Sequence, residues 1–124
     1  MNSYKITRIE ITEGKGSFQE WAEGAGNTYP EASIERWQQA YYDEIVGQLS
    51  ELFPDAKKIE MGEGYDQHVN QPLDVTIKRT SAVTDDTIEA DNEYAAQEQA
   101  DELVRQHLDY VSDRVSNNGT FWSA

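Results

Sequence analysis

The sequence contains no cysteine and only 10 lysine and arginine residues among its 124 positions. Without cysteine, neither disulfide bonds nor thiolate metal sites can form. Hydrophobic runs are short, so no segment has the length of a membrane span, and the N-terminal residues lack the apolar core of a signal peptide. We therefore expect a cytoplasmic protein that does not enter a membrane.

Against these few basic residues stand 24 acidic ones, which gives a net charge of −14 at pH 7. Direct binding to nucleic acid or to an anionic membrane is disfavoured, because both are strongly negative. A basic partner protein is favoured, because complementary fields steer and accelerate association. The same charge is also compatible with a surface that serves solubility, with adaptation to high salt, or with a bound cation.

Composition favours one folded domain over residues 1–124. The chain is 37% hydrophobic and carries 3 Trp, 7 Tyr and 3 Phe, which is enough apolar material for a core at this length. No internal repeat is visible. Glycine-rich or polar segments predict candidate mobile loops at 13–29, 62–71 and 80–90 and a candidate mobile tail at 117–124. In this tail, residues 120–122 are expected either to dock against the core as a short strand or to protrude as an aromatic tail.

Residues 91–116 predict an amphipathic helix with two contrasting faces. Apolar residues recur at three- and four-residue spacing; they are Ala96, Ala100, Leu103, Val104, Val111 and Val115. Opposite them lies an acidic strip, which consists of Glu98, Glu102, Asp109 and Asp113, with Asp101 just beyond its edge. The strip occupies an arc roughly 60° wide and extends roughly 22 Å at a rise of about 1.5 Å per residue.

Residues 30–52 predict another helix, which precedes the acidic one in the chain. Its apolar stripe includes Trp37, Tyr41 and Leu49 at helical period, and Pro54 marks its end. Three acids on this helix are candidate extensions of the acidic strip if the two helices lie side by side; they are Asp43, Glu44 and Glu51.

Three strands are predicted, over 4–12, 57–61 and 72–79. In the first strand Ile6 lies on one face and Ile9 on the other, which indicates either burial on both faces or a β-bulge near Thr7. The second strand is expected to run parallel to the first, because a right-handed crossover leads to it through the helix 30–52. The second and third strands are expected to form a hairpin with a long connection.

The predicted order of elements is therefore β-α-β-β-α. Two amphipathic helices and a small sheet favour an α+β fold, in which both helices cover one face of the sheet as a two-layer sandwich.

No arrangement typical of catalysis or of metal binding is recognisable in the sequence. Asp66 near His68 resembles a base with its orienting acid, but no activated nucleophile completes the site. His107 lies on the apolar side of the last helix, where a histidine is typical of a core boundary. The acids at 85–91 do not follow the calcium-loop pattern. We expect no enzyme, no cofactor and no metal; the alternative is a small-molecule or enzymatic role around Trp21 and His68.

The order of elements resembles that of the DinI family. Local features that carry the resemblance are the helix stop Phe53-Pro54-Asp55, the acidic last helix 91–116 and the aromatic end Phe121-Trp122. The resemblance implies a βαββα fold and action on the RecA filament through the acidic C-terminal helix. The chain departs from the family pattern by the three longer loops named above.

In size and charge the chain is also similar to small acidic inhibitors of phages and plasmids, including DNA mimics and anti-CRISPR proteins. Immunity proteins that neutralise basic nuclease toxins are similar in the same way. We predict a non-enzymatic protein that docks its acidic face on the basic nucleic-acid-binding surface of a partner protein and inhibits or modulates it. The alternative is an accessory or structural domain whose charge serves solubility. Arg114 falls near the apolar arc of the last helix, which indicates either that the helix frays before it or that this face meets something acidic, such as a second copy in a homodimer.

Overall fold

The structure is a computed structural model that describes residues 1–64 and 73–123. Within these ranges the elements are, in chain order, β1 (Asn2–Glu13), α1 (Ser17–Glu23), α2 (Glu31–Leu52), β2 (Lys58–Glu63), β3 (Leu73–Arg79), β4 (Ile88–Ala90), α3 (Glu93–Asn118) and a 3₁₀ helix (Thr120–Ser123). A mixed sheet forms one layer, and α2 and α3 pack on it as the second layer. The predicted α+β class is confirmed, and α1 and β4 are additional to the predicted order.

β1 is the central strand and pairs with all the other strands described. β2 lies parallel to it, with Ile11 opposite Met61, so the predicted parallel pairing is confirmed. β3 is antiparallel on the other side, with Ile9 opposite Val75. β4 pairs antiparallel with the start of β1. The predicted hairpin between the second and third strands is wrong, because β1 lies between them. This order places the buried isoleucines of β1 in the middle of the sheet rather than at an edge.

A β-bulge in β1 explains its irregular alternation. The register against β3 shifts between Ile6 and Arg8, so one extra residue is accommodated there. The shift places Ile6 and Ile9 on the same buried face, although their spacing would otherwise direct them to opposite faces. The Thr7 hydroxyl donates to the Thr76 carbonyl at 3.3 Å beside the bulge. Of the two predicted explanations, the bulge is therefore the correct one.

α2 and α3 bury their apolar sides against the sheet and against each other. The N-cap residue of α3 is Asn92, whose side chain accepts a hydrogen bond from the Ala95 amide at 2.8 Å. The residue that caps its C-terminal end is Gly119, whose φ of 67° is the left-handed conformation that glycine adopts without strain. Its buried face includes Leu108 in addition to the predicted residues, whereas Leu103 is only half-buried.

The predicted loop 13–29 contains a helix, α1, so that prediction is partly wrong. Its glycines flank the helix instead of interrupting it, and Gly16 adopts a φ of 80° just before the first turn. Phe18 is buried, with its ring 5.5 Å from that of Tyr41 and 6.0 Å from that of Phe121. A short helix is thus held in place by one aromatic side chain rather than by its own length.

The predicted linker 80–90 ends in a strand, β4. Ile88 and Ala90 are buried there, and β4 pairs with the start of β1. The Thr80 amide also donates to the Ser3 carbonyl at 2.9 Å, so both ends of this linker contact β1. Three residues are too few to show a strand period in sequence, which is why β4 was not predicted.

The predicted tail 117–124 docks on the domain instead of protruding from it. It forms a 3₁₀ helix rather than a strand, and Phe121 is buried. The Thr120 hydroxyl donates to a Glu44 carboxylate oxygen at 2.9 Å, which ties the tail to α2. Hydrophobic burial of one ring and one polar contact therefore order this end of the chain.

Most of the predicted loop 62–71, with Asp66 and His68, lies outside the described residues. β2 extends into its first two positions and ends at Glu63. In the ranges 1–64 and 73–123, no helix combines the length and apolar character needed to cross a membrane.

Leu108 provides a test of how α3 is held on the domain. Leu108 is 0% exposed, so Leu108→Ala leaves a cavity and should lower the free energy of unfolding by about 2–5 kcal/mol. Tyr110→Ala is the control: it removes a larger side chain that is 61% exposed and should cost less than about 1 kcal/mol. Urea unfolding monitored by circular dichroism measures both. Equal losses would show that α3 does not pack as described.

Candidate functional site

The acidic strip lies on the solvent side of α3. All four of its carboxylates are exposed, while the opposite face of the helix is buried from Ala96 to Val115. Asp101 is exposed beside the strip and accepts a hydrogen bond from Gln97 at 3.0 Å. Gln97 also donates to the Val75 carbonyl of β3 at 2.7 Å, so this part of α3 is tied to the sheet. These contacts fix the orientation of α3 on the sheet, so the strip faces solvent.

Neutral side chains on α3 contact two carboxylates of the strip. Gln106 donates to Glu102 at 3.4 Å. Tyr94 hydrogen-bonds with Glu98, and this bond together with the charge of Glu98 raises the pKa of Tyr94 above its usual value. Removing the phenolic proton would lose the donor and bring two negative charges together. These contacts orient the carboxylates without neutralising them.

The three candidate acids of α2 lie at separate points along the helix. Asp43 lies on the β2 side of α2, in a groove that it lines together with Glu60 and Glu63. Glu44 faces the end of α3, where it accepts the hydrogen bond from Thr120. Glu51 is exposed near the end of α2. Of these acids, the structure brings only Glu44 next to the C-terminal end of the acidic helix.

The groove above β2 has a volume of about 460 Å³ and is lined by several carboxylates. Two of them belong to ion pairs at the surface of the sheet: Arg8 with Glu10 at 2.6 Å, and Lys58 with Glu60 at 3.3 Å. Across the part of the chain that the structure describes, no three histidine or acidic side chains are grouped so as to hold a metal ion. The groove thus carries charge but no metal-binding geometry.

A partly buried network joins the end of β1 to α2. A carboxylate oxygen of Glu13 accepts from the Tyr42 hydroxyl at 2.9 Å, and Gln38 donates to the same hydroxyl at 2.9 Å. Burial raises the pKa of Glu13, the Tyr42 hydrogen bond lowers it, and the charge of Glu63 raises it further. Burial and the charge of Glu13 likewise raise the pKa of Tyr42. In both groups, burial therefore opposes the charged form.

An aromatic cluster, which sequence reasoning did not predict as a unit, joins α1, α2 and the 3₁₀ helix. Its members are Phe18, Trp21, Tyr29, Trp37, Tyr41, Phe121 and Trp122. The rings of Trp21 and Trp122 are stacked with centroids 5.6 Å apart and an interplanar angle of 22°. Trp37 meets Trp122 edge-on at 4.9 Å. Trp21 is 48% exposed and Trp122 is 37% exposed, so the cluster opens to solvent on one side.

Beside this cluster, a cleft of about 200 Å³ lies between α1 and α3. We refer to it as the α1–α3 cleft; the residues that line it include Trp21, the acidic Glu13 and Asp113, and the hydroxyl-bearing Tyr41, Ser112 and Ser116. Asp113 also belongs to the acidic strip, so the strip and the cleft share a residue. The sequence contained one indication of this arrangement, since Trp21 and Tyr41 both have acidic residues close to them in the chain. The residues that line the cleft are spread over most of the chain, so the sequence alone did not reveal it.

The electrostatic environment of the α1–α3 cleft is negative. Burial raises the pKa of Tyr41, hydrogen bonds from Ser116 and Ser112 lower it, and the charges of Glu13 and Asp113 raise it. Both carboxylates therefore act on the same point inside the cleft. An anionic ligand would be repelled there, and a cation would be attracted.

His107 and Arg114 lie on the margin of the buried face of α3. The His107 Nδ1 atom hydrogen-bonds with the Leu103 carbonyl at 2.8 Å, and its ring packs edge-on against Phe53 at 5.2 Å. This is the predicted core-boundary position. Arg114 is exposed on a helix that continues to Asn118, so the predicted fraying before it does not occur.

Similarity to known proteins assigns no function to these surfaces. No protein-family model matches the chain, and neither a curated protein nor a solved structure matches it. The resemblance to the DinI family stays a prediction that rests on the order of elements, the helix stop at 53–55 and the acidic last helix.

The partly buried carboxylate of Glu13 predicts a specific dependence of stability on pH. Because its pKa is raised in the folded protein above 4.5, the folded state binds the proton more tightly than the unfolded state. Glu13 therefore favours folding at low pH, and this contribution is lost as pH rises through the raised pKa. Glu13→Gln should abolish this part of the pH dependence, measured as urea unfolding between about pH 4 and about pH 8.

Glu63→Gln provides the matched comparison for this measurement. It removes only the charge that raises the pKa of Glu13 further, so its effect should have the same direction and be smaller. If the free energy of unfolding depends on pH in the same way for Glu13→Gln and for the unmodified protein over the whole interval, folding does not raise the pKa of Glu13.

Proposed function

We propose that this protein is a non-enzymatic acidic interaction protein, which docks on the basic nucleic-acid-binding surface of a partner protein and inhibits or modulates it. The observation that carries the proposal is the acidic strip, four exposed carboxylates aligned on one face of a helix whose other face is buried. A nucleic-acid-binding surface offers lysine and arginine side chains at the spacing of phosphates. A row of carboxylates is complementary in charge to that surface.

The rigidity of α3 supports this role. The helix has 26 residues, is capped at both ends and packs on β3, β4 and α2. Its carboxylates are therefore separated by fixed intervals of roughly 6 Å and roughly 10 Å along the axis, from four and seven residues at about 1.5 Å each. A preorganised row loses little conformational entropy on docking, which favours affinity.

The proposal gives the described histidine no catalytic role. His107 is engaged with the Leu103 carbonyl and with the ring of Phe53, and these contacts explain its position at the edge of the core. The acids of the groove above β2 are spread along two strands and α2 without forming a metal site. The carboxylates of the acidic strip are exposed, so packing does not require them, and the proposal gives them a role.

Charge complementarity makes the proposed interaction sensitive to salt. Docking would release the counterions that surround the basic partner, so affinity should fall steeply as salt concentration rises. A surface that serves only solubility predicts no partner at any salt concentration. Within the proposed class, an anti-CRISPR protein, another phage or plasmid inhibitor, a modulator of the SOS response and an immunity protein for a nuclease toxin differ in the partner alone.

The proposal is tested with a strip variant that carries Glu98→Gln, Glu102→Gln, Asp109→Asn and Asp113→Asn. A control variant loses the same number of charges at exposed positions away from α3: Glu35→Gln, Asp74→Asn, Asp86→Asn and Glu89→Gln. Each immobilised protein is exposed to lysate of the source cells at low and at high salt. We expect the unmodified protein and the control variant to retain a nucleic-acid-binding protein at low salt, and the strip variant to retain at least about tenfold less.

Competition with nucleic acid completes this test. Added duplex DNA should release the retained protein, because DNA and the acidic strip would occupy the same basic surface. Retention that is unaffected by DNA, or that is equal for the strip variant and the control variant, would contradict the proposal. If nothing is retained at either salt concentration, the charge of the chain serves solubility and the accessory-domain alternative is favoured.

A further inference from the structure

The aromatic cluster leaves large apolar rings open to solvent beside the acidic strip. Tryptophan and phenylalanine rings are ordinarily buried as far as packing allows, because each removes a large apolar area from water. Here Phe18 anchors α1 in the core, while Trp21, one turn later, stays half-exposed and stacks on Trp122. An exposed pair of stacked indoles is unlike the isolated apolar residues of an ordinary surface. It marks a candidate contact for a partner.

The chemistry of the α1–α3 cleft specifies what this contact would take. The residues that line it combine the aromatic side chains of Trp21 and Phe18 with two acidic residues, Glu13 and Asp113, and with hydroxyl-bearing residues. The hydroxyl-bearing residues are Ser17, Tyr41, Ser112 and Ser116. A neutral apolar group would leave the two carboxylates desolvated without compensation. A cation with several N–H donors and a flat face satisfies both kinds of lining residue, because it can stack on an indole while it donates to a carboxylate.

Among protein side chains, arginine has these properties. Its guanidinium group is planar, stacks on aromatic faces and donates to carboxylates in a fixed fork, whereas the lysine ammonium is a compact, strongly hydrated charge. The volume of the cleft, about 200 Å³, is also suited to one side chain. Sites for drug-sized molecules are usually larger, about 300–1,000 Å³.

The cleft lies at the C-terminal end of the acidic strip, and Asp113 belongs to both. A partner that lays basic side chains along the strip would therefore place one of them at the mouth of the cleft. The strip by itself offers only charge, which attracts many basic surfaces without selecting among them. A cleft at one end would add a fixed position and a preference for one side chain.

We infer that the α1–α3 cleft receives one arginine side chain of the basic partner, with its guanidinium group stacked on Trp21 and donating to Asp113. The inference rests on the proposed function, which supplies the basic partner. The strip then attracts the partner and the cleft sets its register along α3.

The test uses two synthetic peptides of equal length and charge, one with eight arginines and one with eight lysines, as probes in place of the partner. Isothermal titration calorimetry at low salt measures both affinities. Because the three tryptophans of the chain all lie in the aromatic cluster, intrinsic fluorescence reports occupancy near the cleft. The arginine peptide should bind about fivefold more tightly than the lysine peptide and should change the fluorescence more.

Four variants separate the cleft from the strip. Trp21→Leu and Asp113→Asn should reduce the preference for arginine to near unity, since one removes the stacking face and the other the charge. The double variant Glu98→Gln, Glu102→Gln should weaken both peptides by the same factor and keep the preference. Thermal unfolding checks that each variant folds, and Trp21→Phe, which keeps an aromatic face, should retain part of the preference.

The possible failures are distinguishable. If both peptides bind equally to the unmodified protein and the double variant weakens them, the cleft inference is overturned while the proposed function stands. If neither peptide binds at low salt, both are overturned. A fluorescence change that follows the concentration of the protein alone, without peptide, would identify a second copy of the chain as the occupant and would also overturn the inference.

Discussion

Pairing of β1 on both of its edges is the constraint on which the rest of the structure depends. β1 receives β2 and β4 on one side and β3 on the other, and its bulge brings Ile6 and Ile9 onto one face. Both long helices must cover that face, because it carries the buried isoleucines of the sheet. Because the apolar side of α3 packs on the sheet, its acidic side faces solvent. The presentation of the strip thus follows from how one strand is paired.

The acidic strip opposes the stability of the helix that carries it. Glu98 with Glu102, and Asp109 with Asp113, are like charges at four-residue spacing, and each such pair destabilises a helix by about 0.2–0.5 kcal/mol. The last turn of α3 also lacks a basic residue that would interact favourably with the helix dipole. Burial of six apolar side chains on the opposite face offsets these costs. Local rules broken in this way are expected where a surface serves a function, which supports the proposed docking role.

The aromatic cluster connects parts of the chain that would otherwise be loops. Phe18 holds α1 against α2, and Phe121 holds the end of the chain against both. The same packing stacks Trp21 on Trp122 and leaves Trp21 in the lining of the α1–α3 cleft, next to the acidic strip. The aromatic rings that dock α1 and the 3₁₀ helix on α2 therefore also shape the surface proposed for recognition.

The two long helices, the α+β class and the exposure of the acidic strip to solvent could all be predicted from the sequence. Each of these follows from helical periodicity over many residues, in which an apolar face must be buried and its opposite must face water. The sequence allowed two explanations for the irregular alternation of β1, and the register against β3 identified the bulge as the correct one. It did not reveal β4, which is too short to show a period, or α1, whose flanking glycines resemble those of a loop. The α1–α3 cleft required the tertiary structure, because Trp21 and Asp113 are about ninety positions apart and only the packing of α1 and α3 against α2 brings them together.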